Sequence, residues 1–431
     1  MNSFRLQNIK AFVDTGEIEL KPVTIFVGKN ISGKSSLIRF LVLLKQSLMV
    51  NTLSPIHFDG EWVDYGNFED VIHNNVGDTM SFEFSYQFKG YKFTNSYVIV
   101  KKEKRVFIKE FKALCNNTLF LSLLHQRTDY YQITFYPGTL TELKDPLSFE
   151  SKVLFKRFIL PFEVFTDITE KYIRNKNFGT LIMPISLYLE RVIENIIYIG
   201  PFRTPPSRSY RNSESVFDYV GTSGEHTHNL LNQSHKFETP LIGKVSNWFE
   251  ESLGLKVVLE EVSESEFFKI KIKPNYKSTS ENIIDVGYGI SQTLPIVTQL
   301  YYERPDERSE TTKTYIIEQP ELHLHPNAQA ALANLFVNRI QDKKSKILVE
   351  THSEHLITRL QSLIADPDTQ FDAEDLAIYY VDMDNNGESS VMRMYINEYG
   401  QFEKKFPTGF FDKGYELNMD ILKNAAKRKK K

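Results

Sequence analysis

Cysteine is almost absent from this sequence. Cys115 stands alone among 431 residues, which excludes an intramolecular disulfide framework and fits the reducing cytoplasm. Also missing is any stretch of the roughly 18 uncharged apolar residues that a membrane helix needs, so no membrane partner is expected. Met1-Asn2-Ser3-Phe4-Arg5 lacks the basic-then-apolar layout of a signal peptide, and the mature chain is expected to start here. Charge of one sign is not in excess, since the net charge of −3 gives no chain-wide case for nucleic-acid or membrane binding. No a/d heptad persists for three or four repeats, so long coiled-coil arms are not expected. Internal repeats are lacking too, and the one low-complexity segment is Lys427-Arg428-Lys429-Lys430-Lys431, either a polyanion-attracting tail or a solvated terminus. What remains is ordinary globular composition, 41% hydrophobic and 25% charged, long enough for two or more structural units.

Against that background one motif is specific. Residues 28–35 read Gly-Lys-Asn-Ile-Ser-Gly-Lys-Ser, a complete G-x-x-x-x-G-K-[ST] phosphate-binding loop. It follows the apolar run Val23–Val27 and precedes the helical pattern Leu37, Ile38, Phe40, Leu41, Leu44, the strand-loop-helix context the motif requires. The glycines let successive N–H groups and the positive end of the helix face an anion. Lys34 reaches β- and γ-phosphates, and the Ser35 hydroxyl is a magnesium ligand. Gly28, Asn30, Gly33, Lys34, Ser35 and Ser36 are the expected nucleotide-binding positions, with ATP and Mg²⁺ as cofactors.

Around this loop the first 144 residues read as strands, extended from Met80 to Lys109 in an antiparallel sheet with one exposed face. Residues 145–197 shift to helical spacing, as in Leu154, Phe155, Phe158, Ile159 and again Leu187, Leu189, Val192, Ile193. Residues 198–431 carry the other motifs: Gly200-Pro201-Phe202-Arg203, Asp285–Gln292 before an apolar helix, Glu318–Pro326 after Tyr315-Ile316-Ile317, and Glu350-Thr351-His352-Ser353 after Ile347-Leu348-Val349.

An acid directly after a buried strand, Glu318, is placed to bind the magnesium held by Ser35, because a hard cation takes carboxylate oxygen. His352, at the end of the following strand, can hydrogen-bond a γ-phosphate or an attacking water. Gly287–Gln292 is a second anion cradle ahead of a helix, and one chain does not need two. The economical reading is a two-fold homodimer that sandwiches two ATPs, each between the loop of one chain and Ser291 of the other.

Together, Gly28–Ser35, Asp285–Gln292, Glu318–Pro326 and Thr351-His352-Ser353 resemble the ABC-type ATPases of the SMC and overcoming-lysogenization-defect group, in the branch of AAA ATPases with ABC-like heads. The resemblance extends to Phe406–Asp412 and is weak in residues 100–195. It implies an α/β ABC-type P-loop ATPase head with an antiparallel β lobe and a helical insertion. Lys34 and Ser35 are then Walker A, Glu318 the Walker B metal ligand, Gly289 and Ser291 signature residues, and His352 the switch histidine. Two positions depart from the family pattern. Gln319 stands where many relatives have a glutamate that activates water, so hydrolysis is expected to be slow, or Glu321 supplies the base. Ile31 stands where relatives often have glycine, which constrains that backbone. The resemblance further implies ATP-driven dimerisation that switches a partner in prokaryotic anti-phage defence, similar to ATPase subunits of Septu-type systems that work with a separate nuclease. The alternatives are a DNA-binding repair or maintenance ATPase of SMC type and a non-hydrolysing ATP-bound scaffold.

Weaker signals have bland readings beside the functional ones. His323-Leu324-His325 and His226-Thr227-His228 have no ligand quartet at metal-site spacing. Asp382-Met383-Asp384 precedes Asn385-Asn386-Gly387 and reads as a solvated turn rather than a nuclease site. Arg203, Arg208 and Arg211 form either a phosphate- or DNA-sensing loop or a solvated one.

Overall fold

A computed structural model of the chain describes residues 1–52, 54–136, 145–172, 179–303, 312–404, 406 and 421. Most of the Phe406–Asp412 segment and the basic tail lie outside them. The strands β1 (Ser3–Ile9), β2 (Phe12–Asp14), β3 (Ile18–Glu19) and β4 (Val23–Gly28) open the chain, followed by the helix α1 (Lys34–Met49) and the short α2 (Phe68–Val71). An antiparallel meander then runs through β5 (Thr79–Phe88), β6 (Tyr91–Lys102), β7 (Arg105–Cys115), β8 (Thr118–Arg127), β9 (Tyr130–Phe135) and β10 (Leu147–Lys152). With β1, β2 and β3 it forms a nine-stranded sheet in the order β10-β9-β8-β7-β6-β5-β1-β2, β3 also pairing β1.

The meander continues past where the sequence pattern turned helical. Residues 147–152 alternate as Leu-Ser-Phe-Glu-Ser-Lys and pair antiparallel with β9, and Phe155 and Phe158 sit in an irregular segment. Phe158 is fully buried, edge-on to Phe82, Phe84 and Tyr97, so its apolar spacing reflects packing onto a sheet rather than a helix stripe. The helices α3 (Phe162–Tyr172) and α4 (Gly179–Glu194) follow. Tyr188 of α4 packs on Phe88, with ring centroids 4.8 Å apart.

The second half supplies β11 (Ile196–Ile199), β12 (Tyr210–Arg211), α5 (Thr227–Lys236), α6 (Leu241–Leu253), β13 (Leu255–Glu261), β14 (Phe267–Pro274), β15 (Glu281–Asn282) and α7 (Tyr288–Tyr301). The remaining elements are β16 (Lys313–Glu318), α8 (Pro326–Ile340), β17 (Ser345–Glu350), α9 (Glu354–Ala365), β18 (Leu376–Met383) and β19 (Ser389–Met394). β12 to β15 make a small antiparallel sheet of their own, which the sequence reading did not anticipate.

The central sheet has the order β11-β16-β17-β4-β18-β19, parallel except for β19. All six residues of β4 are buried, as expected for a parallel strand covered on both faces. Side chains alternate along each strand, and the two cores divide accordingly. Phe26, Ile316, Leu348, Ala377 and Tyr379 join α1 and the antiparallel sheet on one side. Ile25, Ile317, Val349, Ile378 and Tyr380 join α7, α8 and α9 on the other. α1 is therefore sandwiched between two sheets, and Phe40 meets Phe82 edge-on at 5.2 Å. The same alternation sends Glu318, two after Ile316, and Glu350, two after Leu348, toward α1 at the C-terminal ends of their strands. Ligand sites of parallel α/β sheets form at that end.

Candidate nucleotide-binding and catalytic site

The phosphate loop leaves β4 through Gly28, whose φ is +146°. A Cβ there would lie 1.9 Å from the Val381 carbonyl oxygen, so only glycine lets β18 pass this close. Ile31, at the loop crest, has φ of +70° and is 88% exposed, a strained setting for a β-branched residue. The first turn of α1 has no side-chain cap and no acidic residue, which leaves its N–H groups and the positive helix end to face an anion. Lys34 is buried, and its ammonium donates to the carbonyls of Gly28 at 3.0 Å and Lys29 at 2.5 Å. Burial lowers its pKa, with Glu350 acting in the opposite sense.

Two carboxylates converge behind this loop, and they are bound differently. Glu318, 1% exposed, accepts Nε and Nη2 of Arg39 at 2.7 and 2.6 Å and the Tyr198 hydroxyl at 2.7 Å. Arg39 lies four residues after Ser35, one turn along α1. The Ser35 hydroxyl donates instead to Glu350, Oγ to Oε1 at 2.9 Å. Glu350 is 2% exposed and its Oε2 has no hydrogen-bond partner. Burial first, and then the neighbouring Glu318, push its pKa up to about 7, against the pull of Ser35, Lys34 and Arg39. The two acids are register partners on adjacent strands, and β17, which carries Glu350, is the one beside β4. Ser35 and Glu318 are thus in one site, but the Ser35 hydroxyl is hydrogen-bonded to Glu350 and not to Glu318.

The loop after β16 completes the arrangement. Gln319 adopts φ of +45° and its N–H donates to the Glu350 carbonyl at 2.7 Å. Glu321 accepts the His352 N–H at 2.6 Å through Oε1, which brings together two residues 31 positions apart. Burial raises the Glu321 pKa. Burial, followed by the charge of Lys34, lowers that of His352, so its imidazole is neutral near pH 7 and able to accept a hydrogen bond.

The model of the AAA ATPase domain family matches residues 1–357. The chain belongs to that family. No curated protein matches it by sequence. Among solved structures it is similar to the SMC head domain from Thermotoga maritima, at 12% identity and TM-score 0.42, covering 92% of this chain and 99% of that one. It is also similar to an SmcHead bound to the C-winged helix domain of ScpA, at 12% identity and TM-score 0.45 over 91% and 97% of the two chains. A third is an Smc head domain with an extended coiled coil, derived from Pyrococcus furiosus and bound to the C-terminal domain of ScpA, at 11% identity and TM-score 0.38 over 99% of each chain.

In this AAA ATPase the second glycine-rich turn opens α7. Gly289 is required by a close approach, since a Cβ there would lie 2.4 Å from the His323 carbonyl oxygen, and the Tyr288 and His323 rings meet edge-on at 5.2 Å. The turn is thereby fixed to the loop after β16. Ser291 is 6% exposed, donates to the Tyr288 carbonyl at 2.8 Å, and lines a cleft of about 880 Å³ with Arg211, His228 and Pro295.

Arg203, Arg208 and Arg211 of the ATPase do not form a free basic loop. Arg203 is buried and donates to the carbonyls of Glu318 at 2.7 Å and Gln319 at 3.3 Å, while Arg208 pairs with Asp285 and Arg211 with Glu266. His226 stacks on Phe217 and His228 on Tyr210. His325 caps α8 by accepting the Asn327 N–H. Among the described residues no cluster of three or more metal-ligating side chains occurs, and no helix is long and apolar enough to cross a membrane. Asp382 pairs with Lys29 of the loop at 3.0 Å, and Asp384 accepts N–H groups of its own hairpin turn. Sequence reasoning assigned no role to Glu350, Arg39 or Tyr198. Glu350 carried a signal: it ends its strand as Glu318 ends its own.

Proposed function

We propose that this ATPase binds ATP with magnesium, closes on the nucleotide into a two-fold homodimer, hydrolyses slowly, and controls a separate effector, a nuclease in prokaryotic anti-phage defence. The observation that carries the reading is the convergence, at one end of the central sheet, of Lys34, Ser35, Glu318, Glu350, Glu321 and His352 around the loop 28–35, with Gly289 tying the second anion cradle to that end. Magnesium fits the donors present, because Ser35 and Glu350 offer hard oxygens, one of them buried without a partner, and Glu318 adds negative charge beside them. Held by the hydroxyl and carboxylate oxygens beside the loop, a magnesium ion would supply positive charge against the charge that develops on the phosphates. The chain's own residues do the rest. Lys34 and the N–H groups of α1 hold the phosphates, Glu321 and His352 orient water, and Gln319 positions it without taking its proton.

Dimerisation is supported by exposed apolar side chains beside the site: Ile31 on the loop and Phe202, next to the Arg203 clamp, 87% exposed. The test is sedimentation with ATP and magnesium. The wild-type chain is expected to shift from monomer to dimer, Lys34→Ala to bind no nucleotide and stay monomeric, and Ser291→Arg to bind nucleotide without dimerising. An ATP-bridged dimer of Ser291→Arg refutes the composite site.

A further inference from the structure

The loop serine and Glu318 are the metal-binding pair the motifs point to, yet the side chains are not disposed that way. Both Glu318 oxygens are occupied, Oε1 by Arg39 Nε and Tyr198 and Oε2 by Arg39 Nη2. A guanidinium therefore already supplies the positive charge this buried acid needs. Glu350 has no such cation in contact. Its Oε1 is bonded to Ser35 and its Oε2 is buried with no partner, and a buried carboxylate oxygen left unpaired is costly. Position agrees with occupancy. β17 lies directly beside the loop strand β4, whereas β16 is one strand further out, a step of about 4.8 Å.

We infer that Glu350 is a carboxylate ligand of the nucleotide-bound divalent cation, acting with Ser35, while the Arg39–Tyr198 pair holds Glu318 as a structural anion. This rests on the nucleotide-and-magnesium reading of the loop. To hold the ion, the Ser35 hydroxyl would give up its bond to Oε1 and offer its lone pair instead, leaving both Glu350 oxygens free to act as ligands. Glu318 keeps its three bonds. Apart from that turn of Ser35, the Arg39, Tyr198 and Glu318 contacts need not change to admit the ion, because the acid beside the loop strand is the one with an uncommitted oxygen.

The experiment measures affinity for a fluorescent ATP analogue in EDTA and in magnesium, with no turnover involved. In Glu350→Gln the affinity in EDTA is expected to match wild type within about twofold, because the neutral isostere still accepts the Ser35 hydroxyl. The gain on adding magnesium is expected to shrink by about 10–100-fold, as for loss of a metal-site partner. Glu318→Gln is expected to lose less of that gain. A full magnesium gain in Glu350→Gln, with Glu318→Gln losing it, overturns the inference and returns the role to Glu318. Failure of the wild-type protein to bind nucleotide at all refutes the loop reading instead, so the two failures are distinct. Should Glu350→Gln not fold, Glu350→Cys reports independently. A thiolate ligand favours a soft ion, so its preference for cadmium over magnesium should rise at least about tenfold over wild type, and an unchanged preference overturns the proposal.

Discussion

Replacing Arg39 by methionine removes the positive partner of an acid that has almost no solvent. Glu318 loses two charge-assisted bonds of 2.7 and 2.6 Å and retains the Tyr198 hydroxyl alone. Breaking a buried pair from one side costs about 3–5 kcal/mol. Because the Arg39 side chain is 33% exposed, the lower figure, about 3 kcal/mol, is expected. The assay is urea unfolding of wild type, Arg39→Met, Glu318→Gln and the double variant. In the double variant no charge is left stranded, so it should recover about 2 kcal/mol relative to Arg39→Met, a non-additivity that a double-mutant cycle reads directly. The effect should also persist from about 0.05 to 0.5 M salt, since a pair with one fully buried member is screened little. An Arg39→Met variant within about 0.5 kcal/mol of wild type, or additive single effects, refutes the picture of Arg39 as the counter-charge of Glu318.

Two further outcomes follow from groups near the site. Burial against Tyr210 holds His228 at about 4, below its ordinary 6.5. The unfolded chain therefore takes up the proton first, and stability present above pH 6.5 is lost as pH falls toward 4, by about 2 kcal/mol after allowing for partial exposure. His228→Phe keeps the ring stack and should flatten that slope in melting curves at pH 7 and 5; an unchanged slope counts against it. Gln319→Glu supplies the absent general base and should raise ATP turnover by about 10²-fold or more, while Glu321→Gln should abolish the residual rate if Glu321 has taken over. Brisk wild-type hydrolysis indifferent to both substitutions would remove Gln319 as the cause of a long-lived ATP-bound state.

The phosphate loop was legible because every position of the motif and both flanking elements are local. The central sheet was legible in kind, since its strands are short apolar runs that end in motif residues. Sheet order was not, and sheet order decides which acid meets Ser35. Glu318 and Glu350 have the same local signature, an apolar strand closing on glutamate, and only the placement of β17 between β16 and β4 separates their roles. Arg39 was hidden as a single polar position within the apolar run Leu37–Leu44 of α1, because its partner lies 279 residues away. Strand β10 was masked by the apolar spacing of Leu154 to Ile159, which mimics a helix stripe while Phe155 and Phe158 pack in an irregular segment. The sheet of β12 to β15 did alternate, as in Phe268, Ile270 and Ile272, but its strands fall between stronger motifs.

The position of β4 has a consequence for synthesis. Ile25 pairs with Val349 on one side and Ile378 on the other, so both neighbours of the loop strand are made more than 300 residues after it. At about 5–20 residues per second, roughly 15–70 s separate the strand from its partners on the ribosome. For that interval Val23–Gly28, wholly interior in the finished protein, has neither edge covered. The nucleotide loop it leads into is thus among the first segments to be translated and among the last to be held in place, and a fragment ending before residue 345 contains the whole motif but neither strand that flanks it.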